Sequence, residues 1–298
     1  MTTGVTFGLN IHPTIAPPDD LVALARVAED SNFDLIGVED HPYRPDFYDT
    51  WTMITFLAAN TRSVAFTPNV ANLGLRPPTM LAKSAATLSA LRPGRIRLGV
   101  GAGASGGPIP AMGGTERGGS DMVRYAEQSL HIVRTALRGG PVALRDGQFD
   151  IRGYEAGPPV TEPVEIWLGA RARRMLGVVG RASDGWLSPI SSWLRPSMVP
   201  GLTAVIDDAA EAAGRDPAAV RRIYNVAGVV RRPGRGDRAG SVEQWVERLV
   251  DWNQRLGFSG FVFWPQGDPA EQAALFGNEV VPRFHEALSA PTGSAADR

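Results

Sequence analysis

The sequence predicts a (β/α)8 TIM barrel, with an inserted hairpin and long loops at its mouth. Three observations carry that prediction. Short apolar runs alternate with amphipathic helical stretches eight times along the chain. Repeated strand–helix units imply a parallel sheet with right-handed crossovers, and eight of them can close on themselves. The length, 298 residues, suits one such barrel, which typically takes ~250.

The first strand is expected at 5–11. Residues 19–31 then place Leu21, Leu24, Ala25 and Ala28 on one helical face, with Asp19 available as a cap after Pro17 and Pro18. A second strand at 34–38 and a helix at 48–60 follow. The third strand is expected at 64–70, before a helix carrying Leu81, Ser84, Ala85 and Leu88 on one side. The fourth pair is a strand at 95–101 and a helix at 121–138. The alternation then breaks. Two strand-like runs, 141–145 and 148–151, flank Asp146-Gly147, a hairpin-turn signal. It resumes with 164–168 and a helix at 172–182, then a short strand at 184–187 and a helix at 196–213. Strands at 222–230 and 260–264, with helices at 242–256 and 270–288, complete the set. One domain is expected over 1–290, and the small polar tail 291–298 is expected to be disordered.

Composition excludes several classes. The formal net charge of −1 gives no electrostatic case for nucleic acid or an anionic membrane. With no cysteine there is no thiolate chemistry, disulfide or Cys-ligated metal. No apolar run reaches the ~18 residues of a membrane span, and the first residues lack a signal-peptide pattern. The expectation is a soluble, cytoplasmic protein acting on a small-molecule substrate.

Glu39-Asp40-His41-Pro42 ends the second strand. A histidine at a strand's C-terminal end faces the barrel mouth and can move a proton near neutral pH. The plainer reading is a structural histidine bonded to a neighbouring carboxylate. Successive strand residues face opposite ways, so Glu39, Asp40 and His41 cannot easily share a metal ion, and no metal is expected. His131 and His285 fall within helices, whereas His12 follows the first strand and remains a pocket candidate.

Two long loops, 102–120 and 231–240, follow strands and belong at the mouth. Residues 101–106, GAGASG, match the dinucleotide pattern G-x-G-x-x-G. That motif needs a helix starting within the glycines, and Gly107-Pro108-Ile109-Pro110 is not expected to supply it. The glycines still allow backbone to approach a flat ligand. Gly169-Ala170-Arg171, followed by Arg173 and Arg174, leads from the fifth barrel strand into a helix. A helix start with small residues and arginines suits a phosphate; surface ion pairs are the alternative.

Four segments together resemble the luciferase-like flavin and deazaflavin (coenzyme F420)-dependent oxidoreductases: GVEDHPYRPDFYDTW, RPPTMLAKSAATLSALRPGRIRLGVGAG, PVEIWLGARARRMLGVVGRASDGW and GFSGFVFWPQGDPAEQAALFGNEVVPRF. The resemblance spans nearly the whole chain. It implies coenzyme F420, or alternatively FMN, at the C-terminal mouth of the barrel. It implies that His41 is the proton-transfer residue. It assigns cofactor contacts to Asp40, Asn69, Val70, Asn72, Ala102, Gly103, Gly169, Ala170 and Arg171, with a cis peptide at Asn69–Val70. It allows a homodimer and, if FMN is used, a partner flavin reductase. Sugar-phosphate dehydrogenases of the deazaflavin branch carry a Glu where this chain has Ala104, so their substrate does not carry over. Two rivals are an FMN-dependent monooxygenase and a flavin-binding protein without turnover. A metal-dependent hydrolase is disfavoured by the scattered histidines.

Overall fold

The computed structural model describes residues 4–103, 107–232 and 240–289. Ala104, most of the 231–240 loop and the 291–298 tail lie outside these residues. The first half runs β1 (Thr6–Ile11), α1 (Pro18–Asp30), β2 (Leu35–Val38), α2 (Thr50–Asn60), β3 (Ala65–Pro68), β4 (Ala71–Asn72), α3 (Pro78–Leu91), β5 (Leu98–Gly101), α4 (Pro108–Ala111) and α5 (Gly119–Leu137). The second half runs β6 (Gly140–Arg145), β7 (Asp150–Ala156), β8 (Ile166–Gly169), α6 (Arg173–Ala182), β9 (Gly185–Ile190), α7 (Val199–Ala212), β10 (Arg221–Gly228), α8 (Val242–Leu256), β11 (Gly260–Pro265), α9 (Pro269–Leu275) and α10 (Val281–Ser289).

Among the described residues the main sheet is parallel, in the order β3-β2-β1-β11-β10-β9-β8-β5-β4. β3 and β4 are two halves of the third barrel strand, so its two ends meet. Phe66 N donates to Arg95 O at 2.8 Å and Arg97 N donates to Phe66 O at 2.9 Å, which joins β3 to the segment leading into β5. This closure is the expected TIM barrel. Gly99 permits it, because a Cβ there would collide with Pro68 O.

Apolar packing forms two layers. Leu35, Trp167, Leu187, Ile223 and Val262 fill the barrel interior. The alternate residues of the same strands point outward: Phe7 and Leu9 on β1, Tyr224 on β10, Phe261 and Phe263 on β11 pack under the helices. Tyr224 stacks on Phe258 at 4.5 Å, and Phe263 on Phe276 at 4.3 Å. The period of two that separates these layers also decides which residues reach the mouth.

Four local expectations need correction. α1 starts with Pro18 at its first position and Pro17 as N-cap, so Asp19 lies in the first turn and does not cap. Proline costs nothing there, since the first amides of a helix have no intrahelical acceptor. The same reason allows one helical turn at Pro108–Ala111, where none was expected. The hairpin β6–β7 is antiparallel as predicted, but Arg145 pairs with Asp150. Its loop is therefore longer than an Asp-Gly turn, because the Asp146 carboxylate accepts from Gln148 N and Phe149 N. Finally, the third strand, expected as one run over 64–70, is interrupted at Asn69–Val70; the peptide bond there is cis, as the resemblance implies. Among the described residues, no helix is long and apolar enough to cross a membrane.

Candidate active site

The chain leaving β2 presents Glu39 and His41 to one side and Asp40 to the other, as strand alternation requires. Asp40 is buried, its side chain 1% exposed. Arg76 grips it as a fork, Nε to Oδ2 and Nη2 to Oδ1, both at 2.7 Å. Asn72 N donates to Asp40 Oδ2 at 2.8 Å. Arg76 Nη2 also reaches Asp49 Oδ2 at 2.5 Å, and Asp49 caps α2 by accepting from Thr52 N. One arginine thus ties the end of β2 to β4 and to the start of α2. Burial alone would lower the Arg76 pKa, but the two carboxylates raise it, so the guanidinium stays charged.

Glu39 stands between two imidazoles. Oε1 is in close contact with His12 Nδ1, and Oε2 lies 3.6 Å from His41 Nε2. Burial pushes the Glu39 pKa up, but His12 and His41 outweigh it and hold the carboxyl at about 2. The bond to Glu39 in turn raises the His12 pKa above its ordinary 6.5, against desolvation and the nearby Arg44. His41 Nδ1 lies 2.7 Å from Tyr43 Oη. His12 and Trp264 form a T-shaped pair, with ring centroids 5.6 Å apart.

Beneath these groups lies a layer of amides. Asn69 Nδ2 donates to Asn225 Oδ1 at 2.8 Å and to Asn10 Oδ1 at 3.2 Å. Trp264 Nε1 donates to Asn225 Oδ1 at 2.8 Å, and Asn225 Nδ2 donates to Ser188 O at 2.6 Å. Asn10 Nδ2 is buried without a protein partner. An unpaired buried donor is uncommon in a folded protein and suits a ligand acceptor above it.

Across the mouth, Gly169 ends β8 and the buried Ala170 leads to Arg171, which is exposed. Arg171, Ser192, Trp193, Arg195 and Met198 line a cavity of ≈540 Å³. The N-terminus of α6 has no side-chain cap. Its first amides and the arginines beside it make a concentration of positive potential.

The glycines also have a role in packing within the protein. A Cβ on Gly101 would meet Val70 Cγ2 at 2.5 Å, and one on Gly169 would meet both Val70 methyls at 3.3 Å. A Cβ on Gly103, whose φ is +89°, would meet Ile109 Cδ1 at 2.7 Å and Asn72 Oδ1 at 2.8 Å. The space they leave is filled from inside the protein: by Val70 just past the cis bond, and by Asn72, whose Oδ1 also accepts from Gly74 N. Ala102 packs half-buried against the outer core.

Of the residues expected at the site, His41, Asp40, Asn69, Val70 and Asn72 gather around the ends of β2 and β4. Ala102, Gly103, Gly169, Ala170 and Arg171 follow β5 and β8. Sequence reasoning missed Asn10, Glu39, Arg76, Asn225 and Trp264 as site groups. Counting by two back from each strand's end would have found Asn10 behind His12 and paired Glu39 with His41. Arg76 carries no such signal, since its partner lies 36 residues away. Among the described residues, no set of three or more His, Asp or Glu side chains is arranged to hold a metal ion.

A closed parallel barrel with titratable side chains at the C-terminal ends of its strands defines a TIM-barrel protein with its site at the mouth. The chain belongs to the luciferase-like monooxygenase family, which it matches over residues 2–281. It is 30% identical over 217 residues to the 5,10-methylenetetrahydromethanopterin reductase of Methanolobus tindarius, covering 72% of this chain and 62% of that protein. It is 31% identical over 223 residues to the phthiodiolone/phenolphthiodiolone dimycocerosates ketoreductase of Mycobacterium bovis, covering 72% of this chain and 54% of that one. The matched segment is thus less than two thirds of either relative's length. The solved structure of an F420-dependent secondary alcohol dehydrogenase, in complex with an F420–acetone adduct, superposes with a TM-score of 0.80. It covers 95% of this chain and 99% of that one at 17% identity, so the likeness is one of fold.

Proposed function

We propose that this protein is a cytoplasmic oxidoreductase, one barrel domain over residues 1–290, that transfers a hydride between coenzyme F420 and a small organic substrate. The observation that carries the reading is the proton-handling group at the mouth, His41 beside Glu39. Reduction of a carbonyl by hydride needs one proton delivered to the oxygen, and imidazole is the side chain suited to that near neutrality. Reductases among the relatives support the same direction.

The described residues fit a flat, anionic cofactor. The unpartnered Asn10 amide supplies a donor at the floor. Val70 and Asn69 form the step on which a ring system can rest. Arg171 and the uncapped start of α6 suit a phosphate, and Arg195 extends that positive surface. A 5-deazaflavin supplies hydride chemistry when bound, because carbon replaces the flavin N5 and reaction with oxygen is poor. The protein's part is to hold the ring, exclude water and supply or remove the proton. His41 handles the proton, and Asp40, clasped by Arg76 and Asn72, fixes the backbone from which His41 projects.

The second reading, an FMN-dependent monooxygenase fed by a partner reductase, is favoured by the family match itself. Turnover separates the two. On the first reading, reduced F420 is oxidised anaerobically by a carbonyl substrate, and His41→Ala lowers kcat by ~10²–10⁴ while cofactor affinity is kept. Oxygen-dependent turnover with reduced FMN, and none with F420, would establish the second. A homodimer is the assembly proposed with either.

A further inference from the structure

We infer that His12, held in place by Glu39, is a second acid–base residue of this site and the imidazole that meets an incoming carbonyl or alcohol oxygen. The inference rests on the proposed hydride-transfer function. It starts from the different ways the two imidazoles are engaged. Both nitrogens of His41 are directed at protein: Nδ1 lies 2.7 Å from Tyr43 Oη and Nε2 3.6 Å from Glu39 Oε2. His12 turns only Nδ1 inward, against Glu39 Oε1. Its Nε2 has no partner among the described residues, and its side chain is 48% exposed. A carboxylate in ion-pair contact with Nδ1 orients the ring and leaves Nε2 facing outward.

Neighbouring groups sharpen this arrangement. Glu39 is largely buried, its side chain 12% exposed, so its charge is poorly screened. The charged groups that act on His12 are Glu39, at the end of β2, and Arg44, from the loop that follows; His41 and Tyr43 lie beyond Glu39, bonded to each other. Trp264 of β11 is its T-shaped ring partner and carries no charge. Glu39 is the dominant influence and favours the imidazolium, so His12 keeps its proton to higher pH than a free histidine. His12 follows Ile11, the last residue of β1, two residues after Asn10 of the amide layer. In the reducing direction the carbonyl carbon would accept a hydride from the reduced deazaflavin and the oxygen the Nε2 proton of His12, so that His41, both of whose nitrogens face protein, acts behind His12 on the proton's path and not on the oxygen itself. The C=O double bond becomes C–H and O–H, His12 is left neutral, and solvent restores its proton. Glu39 stays ionised throughout and acts as a positioning residue.

The test uses the full chain labelled with ¹⁵N-histidine and free of cofactor, in the parent, Glu39→Gln and His12→Gln forms. Long-range ¹H–¹⁵N spectra follow the imidazoles from acid to alkaline pH. The resonance missing in His12→Gln is expected to titrate above 6.5, and Glu39→Gln is expected to move it to lower pH. A His12 that titrates at 6.5 or below, or that ignores Glu39→Gln, overturns the inference. Half-exposed His12 tolerates substitution, so turnover provides a second arm. His12→Gln should lower kcat by ~10²-fold or more with an unchanged cofactor Kd. Glu39→Gln should move the alkaline limb of the pH profile to lower pH. Parent-level kcat in His12→Gln overturns the catalytic role. Failure of F420 to bind overturns the cofactor reading alone, because the titration arm needs no cofactor.

Discussion

Arg76 and Asp40 form a two-pronged ion pair, with both hydrogen bonds 2.7 Å long and the carboxylate almost wholly buried. It spans 36 residues of sequence and sets the path of the chain on both sides of the mouth. Asp40 accepts three hydrogen bonds from Arg76 and Asn72, which fix its place at the mouth.

Removing one member of such a pair leaves the other unpaired, and the two members are not equivalent. Arg76→Ala strands the buried Asp40 carboxylate with a single amide donor and should cost ~3–5 kcal/mol of stability. Asp40→Asn keeps the side-chain shape, and Arg76 retains the more exposed Asp49, so it should cost less. Urea unfolding of both variants gives the order. A smaller loss in Arg76→Ala would mean that the pair does not hold this corner together.

Glu39 has a pH signature. Its pKa falls from 4.5 unfolded to about 2 folded, so its stabilisation is present above about pH 4.5 and is lost as pH drops toward 2. His12 has a raised pKa, so its part is fully present below 6.5 and is lost as pH rises through the folded value. The stability difference between the parent and Glu39→Gln should therefore peak between about pH 4.5 and 6.5. A difference that is flat with pH would remove the charged Glu39–His12 pair from the account.

The amide layer is held through Asn225, which bonds Asn69, Trp264 and Ser188 at once. Asn225→Leu should destabilise by at least ~1–3 kcal/mol, because buried partners lose their acceptor or donor. It should also release the Trp264 indole, visible as a change in intrinsic fluorescence. Unaltered thermal unfolding would contradict a structural role for the layer.

Much of this was legible in the sequence. The barrel was, because eight apolar runs and the helical faces between them repeat a period that local residues set. Val242–Leu256 was located to the residue, since Ser241 and Gly257 cap it with side chain and left-handed turn. The break in the third strand was placed only through resemblance, as residues 64–70 read as one continuous strand. Prolines misled twice, at Pro18 and Pro108, because a helix's first turn needs no amide donors. At the site, His41 was visible from its place at a strand end. Glu39 was legible as part of the Glu39-Asp40-His41 run and as an unsuitable metal ligand, but not as a site group of its own. Its pairing with His12 depends on β1 and β2 lying side by side, which the pattern of one strand does not contain.

Arg171 is predicted to hold a cofactor phosphate. Arg171→Ala should weaken cofactor binding by roughly 1.5–3 kcal/mol, the range for hydrogen bonds to charged groups, with the melting temperature unchanged. Equilibrium fluorescence titration reads the loss. An unchanged Kd would return Arg171 to the exposed surface.

The central claim is the identity of the cofactor, and a paired titration of the full chain with F420 and with FMN tests it most directly. Fluorescence quenching under one set of conditions gives both dissociation constants. F420 is expected to bind more tightly, and Arg171→Ala to weaken that binding. Clearly tighter binding of FMN would contradict the claim and assign the site to oxygen-dependent flavin chemistry.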